Sequence, residues 1–233
     1  ITSLVGTTGG LETTNRTVVD QPIGNLFAVE TRGVDPTTGR RIFVNAAGKE
    51  VTYSHENTAA TRWQYKDGSG VAPAITLAGD GKLSGSPLPK YFGGLDNNLT
   101  FFNFDASVNL TYAFGFKLYC GSKAGLRDQR FWNNSVEVYK TAWSKSGDKT
   151  NIPKPVWGDN VSNGSAIPIT ENIEKGDYIK ARNISLGYTF KGLPTVTKIE
   201  KIRLVCRLNP QDVVFNLITY RGVGGENREH QCA

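Results

Sequence analysis

Residues Phe104–Tyr119 read FDASVNLTYAFGFKLY. The even positions, Phe104, Ala106, Val108, Leu110, Tyr112, Phe114, Phe116 and Leu118, are apolar. The odd positions, Asp105, Ser107, Asn109, Thr111, Ala113, Gly115, Lys117 and Tyr119, are mostly polar or small. Unbroken alternation at period two marks a β-strand with one apolar and one wet face. A typical soluble strand has only about five or six residues. Sixteen residues at about 3.3 Å each extend roughly 50 Å, or about 40 Å along a membrane normal at a tilt of about 40°. A bilayer's hydrocarbon core is about 30 Å thick, so such a strand crosses and protrudes.

The apolar residues are also sorted along the strand. Phe102 and Phe104 lie at one end, Ala106, Val108 and Leu110 in the middle, and Tyr112, Phe114 and Phe116 at the other end. Phe104 to Tyr112 projects to about 20 Å, close to the about 25 Å apolar band that membrane barrels carry between aromatic girdles. The segment DYIKARNISLGYTF (177–190) sets Ile184, Leu186, Tyr188 and Phe190 against Asn183, Ser185, Gly187 and Thr189. KIEKIRLVCRL (198–208) sets Ile202, Leu204, Cys206 and Leu208 against Arg203, Val205, Arg207 and Asn209. Alternation alone does not distinguish lipid from the core of a soluble sandwich, but a sandwich has no reason to sort its aromatics to the strand ends. Phe104, Val108, Leu110, Tyr112, Phe114, Leu186 and Tyr188 are therefore the expected lipid-facing residues. Asp105, Asn109, Thr111 and Lys117 would then face a broad, wet lumen.

Composition agrees. Hydrophobic residues make up 38% and there are 26 glycines, a turn-rich β composition or one in which half of each strand meets water. No run of eighteen apolar residues exists, which excludes a membrane-crossing helix and leaves a barrel open. The charge of +6 is spread along the chain with no basic block, so no nucleic-acid partner is expected. Cys120, Cys206 and Cys232 form no CxxC or Cys/His cluster and are odd in number, which predicts neither a disulfide framework nor a zinc site. The chain begins at Ile1, has no Met and shows no signal-peptide pattern, so it reads as an excerpt whose targeting segment lies upstream.

Along the chain, residues 18–53 carry turn punctuation between short extended runs. Asp35-Pro36 with Gly39 marks one turn, and Asn45–Gly48 a hairpin tip between Ile42–Val44 and Val51–Tyr53. Residues 54–86 read as polar, Gly-rich and irregular. A tight reversal is expected at Phe101–Asn103, then a long connection from Tyr119 to about Gly176, then a short one, KGLPTVT. Within the long connection, DQRFWNNSVEVYKTAW (128–143) predicts a helix with Phe131, Val138 and Trp143 on one face. Short and long connections alternate in membrane barrels. The strands here are too few to close a wide barrel, and an open edge in lipid leaves backbone groups unpaired, so further strands are expected elsewhere in the protein.

PLPKYFGGLDNNLTFFNFDASVNLTYAFGFKLY (87–119) resembles the strand–turn–strand of SusC/RagA-type TonB-linked outer-membrane transporters. In order, QPIGNLFAVETRGVDPTTGR (21–40), TAWSKSGDKTNIPKP (141–155) and EKGDYIKARNISLGYTF (174–190) are similar to further segments of that family. The tail, LNPQDVVFNLITYRGVGGENREHQCA (208–233), keeps Tyr220 and Gly222 but lacks the family's Asp-Pro-Glu, and stops before a terminal strand. The resemblance implies an all-β fold in which residues 1–233 form the C-terminal portion of a large antiparallel transmembrane β-barrel, of about 22 strands in the whole family, with long extracellular loops. It implies a Gram-negative, Bacteroidetes-type outer membrane and its lipid, a SusD-like lipoprotein lid, glycan or peptide cargo, and energy from TonB through an N-terminal part. No covalent chemistry and no cofactor are implied.

The long connection concentrates Arg127, Arg130, Trp132, Trp143 and Trp157, residue types that stack on sugars or anchor a partner when exposed and that otherwise pack a loop onto itself. No catalytic or metal site emerges. His55 and His230 lie far apart with no Ser or Cys motif beside them, and Asp35 and Asp80 lack the spacing of a calcium loop. GDGKLSG (79–85) lacks the glycine and Ser/Thr of a phosphate loop, and the seven Asn-x-Ser/Thr matches suit an Asn/Thr-rich chain. Three functions remain: nutrient import, a structural subunit of another outer-membrane complex, and a soluble carbohydrate-binding β-sandwich.

Overall fold

The computed structural model describes residues 15–191, 201–208 and 214–216; the expected connection after Lys191 and the tail with Asn209, Tyr220, Gly222, His230 and Cys232 lie outside them. Within these residues the chain is mostly antiparallel β-structure with a few short helices, divided into two units: 15–87 with 117–174, and 88–116 with 175 onward.

The first unit opens with β1 (Asn15–Arg16), β2 (Asn25–Val29), β3 (Thr31–Val34), β4 (Arg41–Val44), β5 (Glu50–Tyr53), β6 (Trp63–Tyr65), α1 (Leu77–Asp80) and β7 (Gly81–Gly85). β1-β2-β7 form one sheet and β3-β4-β5-β6 another. All residues of β2 and β4 are buried. Val29, Phe43, Val51, Tyr53, Trp63, Ile75 and Ile169 make the core, with the Trp63 ring 5.2 Å from Phe43 and 4.8 Å from Tyr53. The β4–β5 hairpin closes where the sequence places it: Gly48, at φ 77°, donates its N–H to the Asn45 carbonyl at 2.9 Å. In Asp35–Arg40 the Asp35 carboxylate accepts from Thr37 N–H at 2.9 Å and Thr38 Oγ1 at 2.7 Å, the local bonding that makes Asp a turn residue. The stretch 54–86, expected to be irregular, holds four short elements: a 3-10 turn at Ala59–Thr61, β6, α1 and β7. They are too brief for a periodic signal.

The second unit is one sheet. β8 (Tyr91–Phe101) and β9 (Phe104–Phe114) are joined by a two-residue reversal with Phe102 at φ 54°. After β9 the chain passes through the first unit as β10 (Lys117–Tyr119), α2 (Gly121–Leu126), α3 (Val136–Thr141) and β11 (Ile173–Lys175), which pairs with β10. It then returns as β12 (Tyr178–Lys191), β13 (Lys201–Leu208) and β14 (Val214–Asn216). The strand order is β13-β12-β9-β8, with β14 also on β12.

Three expectations need correction. The sixteen-residue strand is two pieces: β9 stops at Phe114 because Gly115 takes φ 79° and gives its N–H to the Asp177 carboxylate at 2.6 Å. The helix over 128–143 shrinks to α3. Ser135 and Ala142 are extended at its two ends, Val138 is buried, and Phe131 and Trp143 lie outside it. Cys120, buried, is disulfide-bonded, whereas Cys206 is free and exposed; three scattered cysteines carry no spacing signature for it.

Candidate functional site

The register sorts the second unit into two faces, since directly opposed residues share a side. One face is built in rows across β8, β9 and β12. Phe101, Phe104 and Tyr188 form the row next to the hairpin turn. Leu99, Ala106 and Leu186 follow, then Asn97, Val108 and Ile184, then Leu95, Leu110 and Ala181. Gly93, Tyr112 and Ile179, and finally Tyr91 with Phe114, complete it. On β13, Leu204 and Cys206 continue the first two rows. Aromatic rings gather at both ends: Phe104 lies tilted 4.6 Å from Tyr188 and Phe190 meets Tyr188 edge-on at 4.6 Å, while Tyr112 and Phe114 stack at 5.5 Å. A side chain on Gly93 would collide with Tyr112, whose ring lies over that glycine at 2.8–3.2 Å from an added Cβ.

Among the described residues of this unit, no second layer covers that face. Leu186 is 55% exposed, Leu99 63% and Phe101 70%, and Phe104 and Tyr112 are also exposed. Val108, Leu110, Phe114 and Tyr188 are half-buried, by their neighbours in the sheet. All seven residues expected to face lipid thus share one uncovered surface. Beyond Tyr91–Phe101, β8 has no second partner among the described residues, so the sheet has an open edge.

The opposite face is mostly polar and internally bonded, with Phe92, Ala113 and Tyr178 forming a row at one end and Val205 on β13. Asn109 donates to the Asp96 carboxylate, Ser107 and Ser185 share a hydrogen bond at 2.6 Å, and Arg203 Nε donates to Asp105 at 3.2 Å. Asp105 reaches Arg203, two strands away, because Gly187 between them has no side chain; an added Cβ there would meet the carboxylate at 2.6 Å. Arg182 enters at a bulge where the β9–β12 register shifts, and Asn183 is thereby kept opposite Asn109. The reading of Lys117 as part of this face falls away, since Lys117 lies in the first unit and donates its Nζ to the Ser84 carbonyl at 2.8 Å.

The long connection separates the five expected loop residues into structural and exposed ones. Arg127 is buried and its Nη2 donates to Glu137 at 2.8 Å. Trp143 is half-buried: its indole Nε1 donates to the Pro36 carbonyl at 3.0 Å and its ring lies against Gly39, where an added Cβ would fall 2.4 Å away. Arg130 grips buried Asp128, with Nε at 3.0 Å from Oδ1 and Nη2 at 2.6 Å from Oδ2. Burial would raise the Asp128 carboxyl, but Arg130 and Ser165 outweigh it and hold the group below its usual value of 3.8. Trp132, 94% exposed, and Trp157 remain, with ring centroids 5.5 Å apart.

That pair stands on fixed backbone. Gln129 N–H donates to the Asp159 carbonyl at 3.1 Å, and Gly158 N–H donates to the Gln129 carbonyl at 3.0 Å. The Asp159 carboxylate accepts from Val161 and Ser162 N–H at 2.9 and 3.0 Å. Below lies Arg41, fully enclosed, whose Nε and Nη2 donate to the carbonyls of Ser162 and Asn151 at 2.9 and 2.7 Å. Its removal from water pushes its pKa down to about 10. Phe131 and Tyr139 are exposed on the same connection. Sequence reading missed Arg41, Asp128 and Asp159, because a buried polar residue reached from distant segments has no local pattern.

No family model and no curated protein matches the chain. Solved structures do. The chain aligns with the structure of the RagAB peptide transporter over 91% of its length and 21% of that chain, at 15% identity and a TM-score of 0.60. It aligns with the RagAB peptide importer in the open-open state over 91% of this chain and 20% of the other, at 17% identity and a TM-score of 0.59. Against the closed-closed state the figures are 91%, 22%, 17% and 0.52. The chain spans about a fifth of the length of those structures. At such identities the likeness is one of fold.

Proposed function

We propose that residues 1–233 are the C-terminal segment of a SusC/RagA-type barrel in the outer membrane, importing oligomeric nutrients together with a SusD-like lipoprotein. One observation carries this reading: a long antiparallel sheet leaves one apolar face uncovered and bounds it with aromatic rows at both ends. Water makes such a face costly, and a soluble sandwich would bury it. Hydrocarbon removes the cost, and the interfaces give the aromatics their place. The open edge of β8 then requires further strands of the same barrel.

On this reading the hydrogen-bonded polar face borders the lumen, and the connection from β10 to β11 is an extracellular loop. Trp132 and Trp157 are its contacts for the lid or the cargo; Arg127, Arg130 and Trp143 hold the loop in shape. The fold shared with the RagAB peptide importer favours peptide cargo over glycan. TonB acts through the N-terminal part of the whole protein.

The test uses the full-length protein in its own cells. Deleting it is expected to abolish uptake of a labelled oligopeptide mixture, and collapsing the proton gradient is expected to do the same in wild-type cells. Unchanged uptake of both peptide and oligosaccharide mixtures after deletion would overturn the import reading. Recovery of the full-length protein in detergent-free buffer would overturn the membrane reading.

A further inference from the structure

Phe92 is out of place on the polar face. It forms a row with Ala113 and Tyr178 at the end of the sheet away from the β8–β9 turn. From that row to the turn, every paired residue of this face on β8, β9 and β12 is polar or glycine. Lipid does not account for the ring, because the apolar face lies on the other side of the strand. Packing does not account for it either. Phe92 is 76% exposed and has no ring contact among the described residues. Tyr178, by contrast, is held edge-on by Phe116 at 6.3 Å, and Phe116 fills the space that a side chain on Gly176 would need. Neighbouring strands are about 4.8 Å apart, so the two rings rise about 10 Å apart, with the buried Ala113 as the floor between them.

Unengaged positive charge stands on both sides of this notch. The next row, about 7 Å along the strands, is Gly94, Thr111 and Lys180. The half-buried Lys180 has no side-chain partner among the described residues, and neither has the exposed Lys90, whose stem lies over Gly115. The nearby carboxylates are already engaged: Asp177 accepts from Gly115 N–H at 2.6 Å, and Asp96 accepts from Asn109. What settles here must bring an apolar side chain for the notch and an anion for Lys180. In an extended peptide, residues two positions apart point the same way about 7 Å apart, which is the spacing of the two rows. On the import reading proposed above, from which this inference follows, the row stands at the outer mouth of the lumen. Cargo entering there meets an apolar surface that water leaves costly and a cation that water screens only in part.

We propose that Phe92, Tyr178 and Lys180 form a cargo subsite that selects peptides with an apolar residue two positions from an acidic one. The experiment uses purified full-length protein and three labelled hexapeptides, blocked at both ends and otherwise Gly and Ser, carrying Phe-Ser-Glu, Phe-Ser-Lys or Ser-Ser-Glu. Wild type is expected to bind the Phe-Ser-Glu peptide about tenfold more tightly than either of the others. Phe92→Ser is expected to bring it level with Ser-Ser-Glu while keeping the preference for Glu over Lys. Lys180→Gln is expected to do the converse. A second readout leaves these side chains in place: Thr111→Cys, in a Cys206→Ser background because Cys206 is free and exposed, is modified on cells by a membrane-impermeant maleimide. The Phe-Ser-Glu peptide is expected to slow that modification several-fold, and Ser-Ser-Glu to leave it unchanged. Equal binding of the three peptides, or preferences that survive both variants, overturns the subsite and leaves the import reading standing. Modification of Thr111→Cys by a lipid-borne reagent but not by the aqueous one overturns the assignment of the two faces. No binding of any of the three peptides overturns the subsite too, and the import reading falls with it only if deletion also leaves uptake unchanged.

Discussion

Val108→Arg tests the medium on the apolar face. Val108 lies in the row midway between the Phe104 and Tyr112 rows, four residues or about 13 Å along the strand from each, about 10 Å in depth at a tilt of about 40°. An arginine at the bilayer midplane of a barrel costs about 2–4 kcal/mol, and near an interface about 0–1 kcal/mol. Phe104→Arg sits in the aromatic row and adds the loss of the Tyr188 ring contact at 4.6 Å, about 0.5–1.5 kcal/mol. Asn98→Arg, at similar depth on the polar face, costs close to nothing if that face is wet. A penalty of 2–4 kcal/mol is about 30- to 900-fold in the folded-to-unfolded ratio. The assay is the temperature at which full-length protein in outer membranes loses its SDS-resistant form, alongside its abundance there. The expected order of damage is Val108→Arg, then Phe104→Arg, then Asn98→Arg near wild type. Two results refute the reasoning. If Val108→Arg behaves like Asn98→Arg, no apolar medium covers the face. If Phe104→Arg is as damaging as Val108→Arg, the apolar medium does not end at the aromatic rows, as in a protein core.

Trp132→Ala and Trp157→Ala are expected to change stability by less than about 0.5 kcal/mol while weakening lid or cargo binding by about 2 kcal/mol each, measured by pull-down and labelled-cargo titration. Trp143→Ala should do the reverse, leaving binding to any pre-formed surface aside and costing about 2–3 kcal/mol, below the full core range because the ring is only half-buried; protease resistance of the loop reads it. Arg41→Met strands the carbonyls of Asn151 and Ser162 and is expected to cost about 2–4 kcal/mol, with hydrogen exchange rising in residues 151–163. Acid should loosen the Asp128 region. Its carboxyl binds a proton less readily folded than unfolded, so its stabilisation is complete above the ordinary value of 3.8 and is lost as pH falls through the lower folded value. Hydrogen exchange in the region between pH 6 and pH 3 checks this, and Asp128→Asn should flatten the response.

The sheet was legible because each of its strands carries its own environment in its alternation. The shared face of Phe104, Ala106 and Val108 with Tyr188, Leu186 and Ile184 follows once two strands each present a greasy side, since a one-residue slip would turn the whole set over. Which of them stand opposite one another comes from the structure, because a two-residue slip keeps every face. The bulge at Arg182 was not legible. It places Ala181 and Ile184 on one side across three bonds instead of two, and a period-two reading begun at Ile184 cannot see that the phase changes just before it. The break at Gly115 was hidden for a related reason. Alternation from Phe104 to Tyr119 persists through the glycine, yet the positive φ there turns the chain, and the Asp177 bond that holds the turn comes from sixty-two residues away.

The loop shows the opposite balance. Composition marks Arg127, Arg130, Trp132, Trp143 and Trp157 alike, and the structure divides them by what lies beneath. Trp143 is held because Gly39 leaves room for its ring, and Gly39 is where it is because Asp35 organises the turn that ends there. Arg127 and Arg130 are occupied by Glu137 and Asp128. Trp132 and Trp157 are exposed with their rings beside each other, on a backbone pinned at Gln129 and Gly158. A flexible loop could fold such rings inward to escape water. A pinned one keeps them out, so their exposure is maintained against the hydrophobic effect, and a surface maintained in that way is the one to test first for a partner.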